Sequence, residues 1–228
     1  MSNYNEIHGT TVRNSAGNLS GAATGELFYD STNRDFKYSY PNVSSSWRTG
    51  NDLNTGRQEI NKGSSGTQTS ALAFGGTTPP RTAITESYNG TSWTEVSDLN
   101  LARYGLSGAG TTTAGLAFGG SVDPGDKGET ESWNGSSWTE VNDLNTGDAQ
   151  GAGFGTATAA LAVKMSTVEQ FNGTSWTEVA DTATPRGSLQ AAKSGTTTEG
   201  LVFGGDGVIA STEEWLKPGQ ITVSFTVS

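Results

Sequence analysis

The chain repeats itself, and that repeat limits what it can fold into. TESYNGTSWTEVSDLN at 85–100 returns as TESWNGSSWTEVNDLN at 130–145 and, more worn, as VEQFNGTSWTEVADTA at 168–183. An apolar run recurs in step: ALAFGG at 71–76, GLAFGG at 115–120, ALAVKM at 160–165 and GLVFGG at 200–205. The stretch FKYSYPNVSSSWRTGNDLN at 36–54 carries the second half of a further unit. Trp47, Trp93, Trp138 and Trp176 mark the phase, at spacings of 46, 45 and 38 residues. A period of about 40–50 residues suits a repeated supersecondary unit that buries its apolar face only by stacking on its neighbours.

Each unit reads as four strands. In the unit around residue 120 the first is 103–109, followed by a turn at Gly110-Thr111-Thr112-Thr113. GLAFGG is apolar enough for a buried second strand, and TESW is the third. Asn134-Gly135 is expected to form a two-residue hairpin turn, since both residues tolerate positive φ. In the fourth strand, SSWTEV, Trp138 and Glu140 share one face while Thr139 and Val141 take the other. Asp143-Leu144-Asn145 then crosses to the next unit. Glycine makes up 32 of 228 residues, about twice its usual share of roughly 7%, which argues against long helices. The expected fold is therefore all-β, a β-propeller of four-stranded blades.

A Gly-Gly doublet closing an apolar strand (Gly75-Gly76, Gly119-Gly120, Gly204-Gly205), then an aromatic, then a Trp, resembles the kelch repeat over about residues 36–216. Two details depart from that pattern. The step from aromatic to Trp is short (Tyr88 to Trp93), and the third unit has Val163-Lys164 at the doublet. With FYDSTNRDFKY ahead of the repeats and a Thr/Ser-rich end, the wording is also similar to kelch-like proteins encoded by tailed bacteriophages of aquatic bacteria. The arithmetic of units gives five blades, with four as the alternative. Residues 1–24, rich in Ser, Thr, Asn and Gly, read as an arm for docking or attachment. Residues 25–228 form the propeller, with N-terminal strands at 27–30, 36–40 and 45–49. The strand ITVSFTVS at 221–228 pairs with them and closes the ring.

Charge and composition exclude several functions. With 13 basic and 23 acidic residues the net charge is −10, so no basic stripe is available for nucleic acid or an anionic membrane. No cysteine is present, which removes disulfides and thiolate metal sites. His8 is the one histidine and lies in a polar segment, so histidine-based triads and zinc sites are not expected. No apolar run is long enough to span a bilayer, and MSNYNEIHGT does not read as a signal peptide.

In a propeller, turns after the first and third strands share one face, and loops after the second and fourth share the other. The loops after second strands are the irregular ones: TTPPRTAI at 77–84, SVDPGDKGE at 121–129 and DGVIAS at 206–211. They nominate Pro79, Pro80, Arg81, Asp123, Asp126, Lys127 and Asp206 as a recognition rim, since variable loops on a rigid scaffold are where binding concentrates. Repeated carboxylates occupy two positions, Glu86, Glu131, Glu169 and Glu214 in one and Asp52, Asp98, Asp143 and Asp181 in the other. Rings of hard oxygens suit Ca²⁺. Recurrence in every unit, together with Arg57, Arg103 and Arg186, points instead to structural ion pairs between blades, with no metal, cofactor or catalytic residue expected. The phased tryptophans read as packing. Asn89-Gly-Thr, Asn134-Gly-Ser and Asn172-Gly-Thr are explained as turns rather than as glycosylation sites. The aspartate box of sialidase propellers fails at Tyr88, and kelch-type copper oxidases need histidines and a cysteine that are absent.

The resemblance implies a non-enzymatic virion protein: a tail fibre, tail tip or capsid decoration. It would contact other virion proteins, assemble as a homo-oligomer and meet a host-surface glycan or receptor. The alternative is a bacterial glycan-binding lectin-like propeller, with Tyr104 and Trp133 as its stacking candidates.

Overall fold

A computed structural model describes residues 13–15, 27–38, 49–61, 65–147, 149–192, 195–206 and 210–216. Trp47, His8 and the strand expected at 221–228 lie outside these residues, as does most of the 1–24 segment. The chain divides into two compact units, Met1–Thr49 and Gly50–Ser228. The described residues are all β, with no helix and hence none long and apolar enough to cross a membrane.

The first unit holds one three-stranded sheet. Strand β1 (Arg13–Ser15) pairs in parallel with β2 (Leu27–Asp30), and β2 pairs antiparallel with β3 (Asp35–Tyr38). Asp30 shapes the hairpin. Its carboxylate accepts the Thr32 N–H at 2.9 Å and the Lys37 ammonium at 2.5 Å, a local bond that favours the turn over a longer strand.

The second unit holds four sheets, three of them four-stranded antiparallel meanders. The first comprises β4 (Ser65–Thr67), β5 (Ser70–Phe74), β6 (Thr85–Tyr88) and β7 (Trp93–Val96). The next comprises β8 (Ser107–Gly110), β9 (Gly115–Phe118), β10 (Thr130–Trp133) and β11 (Trp138–Val141). A third holds β12 (Ala152–Thr156), β13 (Ala159–Lys164), β14 (Thr167–Phe171) and β15 (Trp176–Glu178). The last has β16 (Gln190–Ala191), β17 (Glu199–Phe203) and β18 (Thr212–Leu216). We call these sheets 1 to 4. Their first strands neighbour one another in order: β4 beside β8, β8 beside β12, and β12 beside β16. The four-strand reading of each repeat therefore holds for three units. Among the described residues every sheet is open, and no strand pairing links one sheet to another.

One apolar cluster fills each boundary between consecutive sheets. Phe74, Leu99, Leu106, Trp133 and Trp138 pack between sheets 1 and 2. Phe118, Leu144, Ala160, Phe171 and Trp176 pack between sheets 2 and 3. Phe154, Val163, Val168, Leu189 and Val202 pack between sheets 3 and 4. Strand β9, GLAF, is buried at every position, the signature of a strand covered on both faces.

The Asn-Gly turn differs from the two-residue expectation. Four residues, 134–137, link β10 to β11, and of the pair only Gly135 takes positive φ, at 97°. The Asn134 side chain explains this, because its Oδ1 accepts the N–H groups of Ser136 and Ser137, both at 2.9 Å. It thereby caps a wider loop. Asn89 and Asn172 repeat the arrangement.

Candidate functional site

The repeated carboxylates converge on the segments that carry the chain from one sheet into the next. Three of these segments read Asp-Leu-Asn (52–54, 98–100 and 143–145), whereas the one entering sheet 4 reads Asp181-Thr182-Ala183. In the intact ones the residues divide between two sheets. Asp98 accepts the Thr85 N–H at 3.1 Å, and the Leu99 N–H donates to the Ala83 carbonyl at 3.0 Å, so both hold sheet 1. Asn100 then turns to sheet 2: its backbone N–H and its Nδ2 donate to one oxygen of Glu131, at 2.7 and 2.9 Å. Asp143, Leu144 and Asn145 repeat every contact, with Thr130, Gly128 and Glu169 as partners. Asn54 does the same toward Glu86.

An arginine three residues after the Asn completes the staple. Arg103 is fully buried, and its Nη2 meets the other oxygen of Glu131 at 2.9 Å. Its Nη1 donates to the carbonyls of Gly119, at 2.7 Å, and Glu129. Arg57 pairs with Glu86 and donates to the carbonyls of Gly75 and Ala73, both at 3.0 Å. The glycine doublet is needed at this grip. Gly75 and Gly76 have φ of 66° and 103°, and a Cβ on Gly75 would lie 2.4 Å from Leu106 Cδ1. The repeated ion pairs are therefore structural, joining an incoming segment to its sheet rather than blade to blade.

Charge and burial oppose one another here. Burial pushes the Glu86 carboxyl up. The Asn54 N–H, the hydrogen bond and charge of Arg57, and the Asn54 side chain together outweigh it, leaving the group below its ordinary value. Burial also pulls the Arg103 guanidinium down, and the neighbouring Glu131, Glu129 and Asp143 only partly restore it.

Sheet 3 is built differently. The register pairs Ala162 with Glu169 as it pairs Ala73 with Glu86, so the doublet position falls on Lys164-Met165, one residue later than the Val163-Lys164 expected. Lys164 donates from this position to the Gly147 carbonyl and reaches Asp126 at 3.2 Å. Met165 adopts φ of 48° where the other units have glycine. In sheet 4 the carboxylate is Glu213 and not Glu214. Glu213 accepts the Ala183 N–H at 2.6 Å and meets Arg186 at 3.2 Å, while Glu214 is exposed on the other face. Glu213 lies two residues before its aromatic, as Glu86, Glu131 and Glu169 do, and that offset was the available signal. The capping Asn54, Asn100 and Asn145 went unnoticed, although an Asn closes every intact Asp-Leu-Asn.

The phased tryptophans serve the boundaries. Trp138 donates its indole N–H to Thr85 of the preceding sheet at 3.1 Å and packs against Phe74. Trp176 does the same with Thr130 and Phe118. Trp133 is buried and bonded to the Thr112 carbonyl at 2.9 Å, which removes it from any stacking surface. Trp93 is half-buried against Tyr88.

The residues nominated from the irregular loops lie outside the named strands. Pro79, Pro80, Arg81, Asp123, Asp126 and Asp206 are exposed, and Lys127 is half-buried beside Glu129 at 3.7 Å. Each loop is anchored at its base. Gln58 and Thr77 exchange backbone bonds under 77–84, and Tyr104 and Ser121 do so under 121–129. Besides Lys127, two more of these residues have side-chain partners: Tyr104 donates its hydroxyl to Asp123 at 2.7 Å, and Asp126 meets Lys164. Asp206 sits over Gly187, to whose carbonyl it donates its N–H at 2.9 Å. Among the described residues no cluster of three or more His, Asp or Glu side chains is placed to hold a metal ion. No protein-family model and no curated protein matches the chain.

Proposed function

We propose that this protein is a non-enzymatic structural component of a phage virion, a tail fibre, tail tip or capsid decoration. In this reading it is a kelch-like propeller that presents its irregular loops to a host surface or a neighbouring subunit. The blade count is five if the β1–β3 sheet joins the ring and four if it does not. The observation that carries the reading is the unequal use of polar side chains along the sheets. The repeated Glu, Asp, Asn and Arg residues are spent on holding the scaffold, whereas Pro79, Arg81, Asp123 and Asp206 are exposed on loops that differ from unit to unit. The side-by-side first strands of consecutive sheets support radial packing. Rigid scaffold with variable exposed loops is the design of a recognition module. Repetition of the subunit on a particle would multiply weak polar contacts into firm attachment.

Mass spectrometry of gradient-purified particles, quantified against the major capsid protein, tests the proposal. Stoichiometric presence supports it, and the copy number separates capsid decoration from tail. Absence from the particles overturns it. One observation favours the lectin reading: the half-buried Tyr104 ring stands beside Asp123 on the rim, an aromatic and a carboxylate of the kind that holds a sugar. Glycan-array binding lost in Tyr104→Ala would carry that reading in place of the first.

A further inference from the structure

Two boundaries between consecutive sheets are built from the same set of contacts. Phe74 and Thr85 oppose each other across β5 and β6 and are fully buried. Trp138 of the following sheet packs on the phenyl ring and donates its indole N–H to the threonine hydroxyl. Phe118 and Thr130, equally buried, receive Trp176 in the same way. The segment entering the following sheet adds two polar bonds. Asp98 and Asp143 accept the N–H of the threonine, and Leu99 and Leu144 donate their N–H to the carbonyl two residues before it, on Ala83 and Gly128.

Sheet 4 carries the first half of such a boundary, and sheet 1 carries the second half. Phe203 and Thr212 oppose each other across β17 and β18 in the register of Phe74 with Thr85. Phe203 is 39% exposed and Thr212 is exposed as well, although their counterparts are closed to solvent. On sheet 1, Trp93 holds the place of Trp138 in the repeat, is half-buried and meets the ring of Tyr88 in its own sheet. In the segment entering sheet 1, Asp52 is exposed and Leu53 half-buried, whereas Leu99 and Leu144 are buried.

We infer that sheet 4 of one copy of the chain receives sheet 1 of a second copy, so that copies join head to tail through one more boundary of the repeated kind. Trp93 then packs on Phe203 and donates its indole N–H to the Thr212 hydroxyl. Asp52 accepts the Thr212 N–H, and the Leu53 N–H donates to the Ala210 carbonyl, two residues before the threonine. The polar groups decide the partner. Burying an indole N–H without an acceptor costs about 1–3 kcal/mol, and Phe203–Thr212 supplies the acceptor in the register the other boundaries use. The β2–β3 hairpin opposes Phe28 to Lys37 and has no threonine at that pair. Two sheet 4 faces do not suit one another either, since both would bring a threonine N–H and neither an aspartate. The contact is therefore heterologous, and it leaves one free face of each kind at the ends of any open assembly. The inference stands on the repeated sheets and not on the virion reading.

Light scattering after size exclusion, over a range of concentrations, tests it. The native chain should associate, and Trp93→Ala and Phe203→Asp should each weaken association by roughly thirtyfold or more, the loss expected of a buried aromatic anchor. Mixed in equal amounts, the two variants should form a dimer and nothing larger, because Trp93→Ala keeps an intact sheet 4 face and Phe203→Asp an intact sheet 1 face. Thr212→Arg, at an exposed side chain of the same face, takes the place of Phe203→Asp if that chain does not fold. A native chain that stays monomeric throughout overturns the inference and assigns both faces to partners within one chain. Variants that assemble as the native chain does, or a mixture that stays monomeric, overturn it too.

Discussion

The second and third sheets solve one mechanical problem in two ways. Both must hold an incoming Asp-Leu-Asn segment against a buried glutamate, and in both the Asn supplies two hydrogen bonds to a single carboxylate oxygen. Sheet 2 adds a buried Arg103 that grips the Gly119 carbonyl as well as Glu131. Sheet 3 has no arginine bonded to Glu169 among the described residues. Its cation, Lys164, comes from the sheet itself and points to the Gly147 carbonyl and to Asp126. The glycine doublet belongs with the arginine. In sheets 1 and 2 the guanidinium takes a doublet carbonyl. In sheet 4 Gly204-Gly205 is kept where a Cβ on Gly205 would crowd the Arg186 side chain, and sheet 3, with no such arginine among the described residues, has Lys164-Met165. The Asn–Glu contact is the constant part of the joint and the cation is the variable part.

Removing the buried cation should have the largest effect. Arg103→Met leaves Glu131 buried and unpaired, and breaking a buried pair in this way costs about 3–5 kcal/mol. The urea midpoint of the variant measures it. A loss under about 1 kcal/mol would show that Asn100 alone satisfies Glu131, making the two sheets equivalent.

Next comes the carboxylate itself. Glu86→Gln keeps the shape but weakens the charged hydrogen bonds from Asn54 and Arg57, at a cost of about 1.5–3 kcal/mol. The pH dependence has a definite sign. The Glu86 carboxyl lies below its ordinary value when folded, so the unfolded chain takes up the proton first. Its contribution is complete above the ordinary carboxylate range and is lost as the pH falls through the folded value. Urea midpoints measured from neutral pH downward should therefore fall less steeply in Glu86→Gln than in the native chain.

How much of this was legible follows from what a repeat displays. Strand order, the boundary role of Trp138 and Trp176 and the structural use of Glu86, Glu131 and Glu169 all recur, so periodicity exposed them. What failed lay where two residues competed for one position. Glu213 and Glu214 are adjacent, and only the face of β18 decides which is buried. The φ preference of Asn-Gly points to a two-residue turn, but the Asn134 side chain caps a four-residue loop on its own. On the rim, the loops were identified by their irregularity, but the Tyr104–Asp123 contact depends on tertiary folding that no repeat encodes.

A smaller effect separates the boundaries from the staples. Thr130→Val removes the acceptor of the Trp176 N–H in a buried site, at a cost of about 1–2 kcal/mol. Trp176→Phe in the same chain should restore part of that loss, because the second change deletes the orphaned donor. A double-mutant cycle read by urea unfolding checks the coupling, and simple additivity would show that the indole N–H finds another partner.

The smallest effect sharpens the contrast between the two cations. Lys164 is about a quarter exposed and its partner Asp126 nearly half exposed, at 24% and 44%. Water and salt screen such a pair, so Lys164→Ala should cost no more than about 1 kcal/mol. The loss should shrink further in high salt, where the Debye length falls to about 3 Å at 1 M. The Arg103→Met loss should change little under the same conditions, because its pair is closed to solvent. If both losses respond alike to salt, the buried grip and the surface grip are one kind of interaction, and the doublet must be kept for some reason other than arginine.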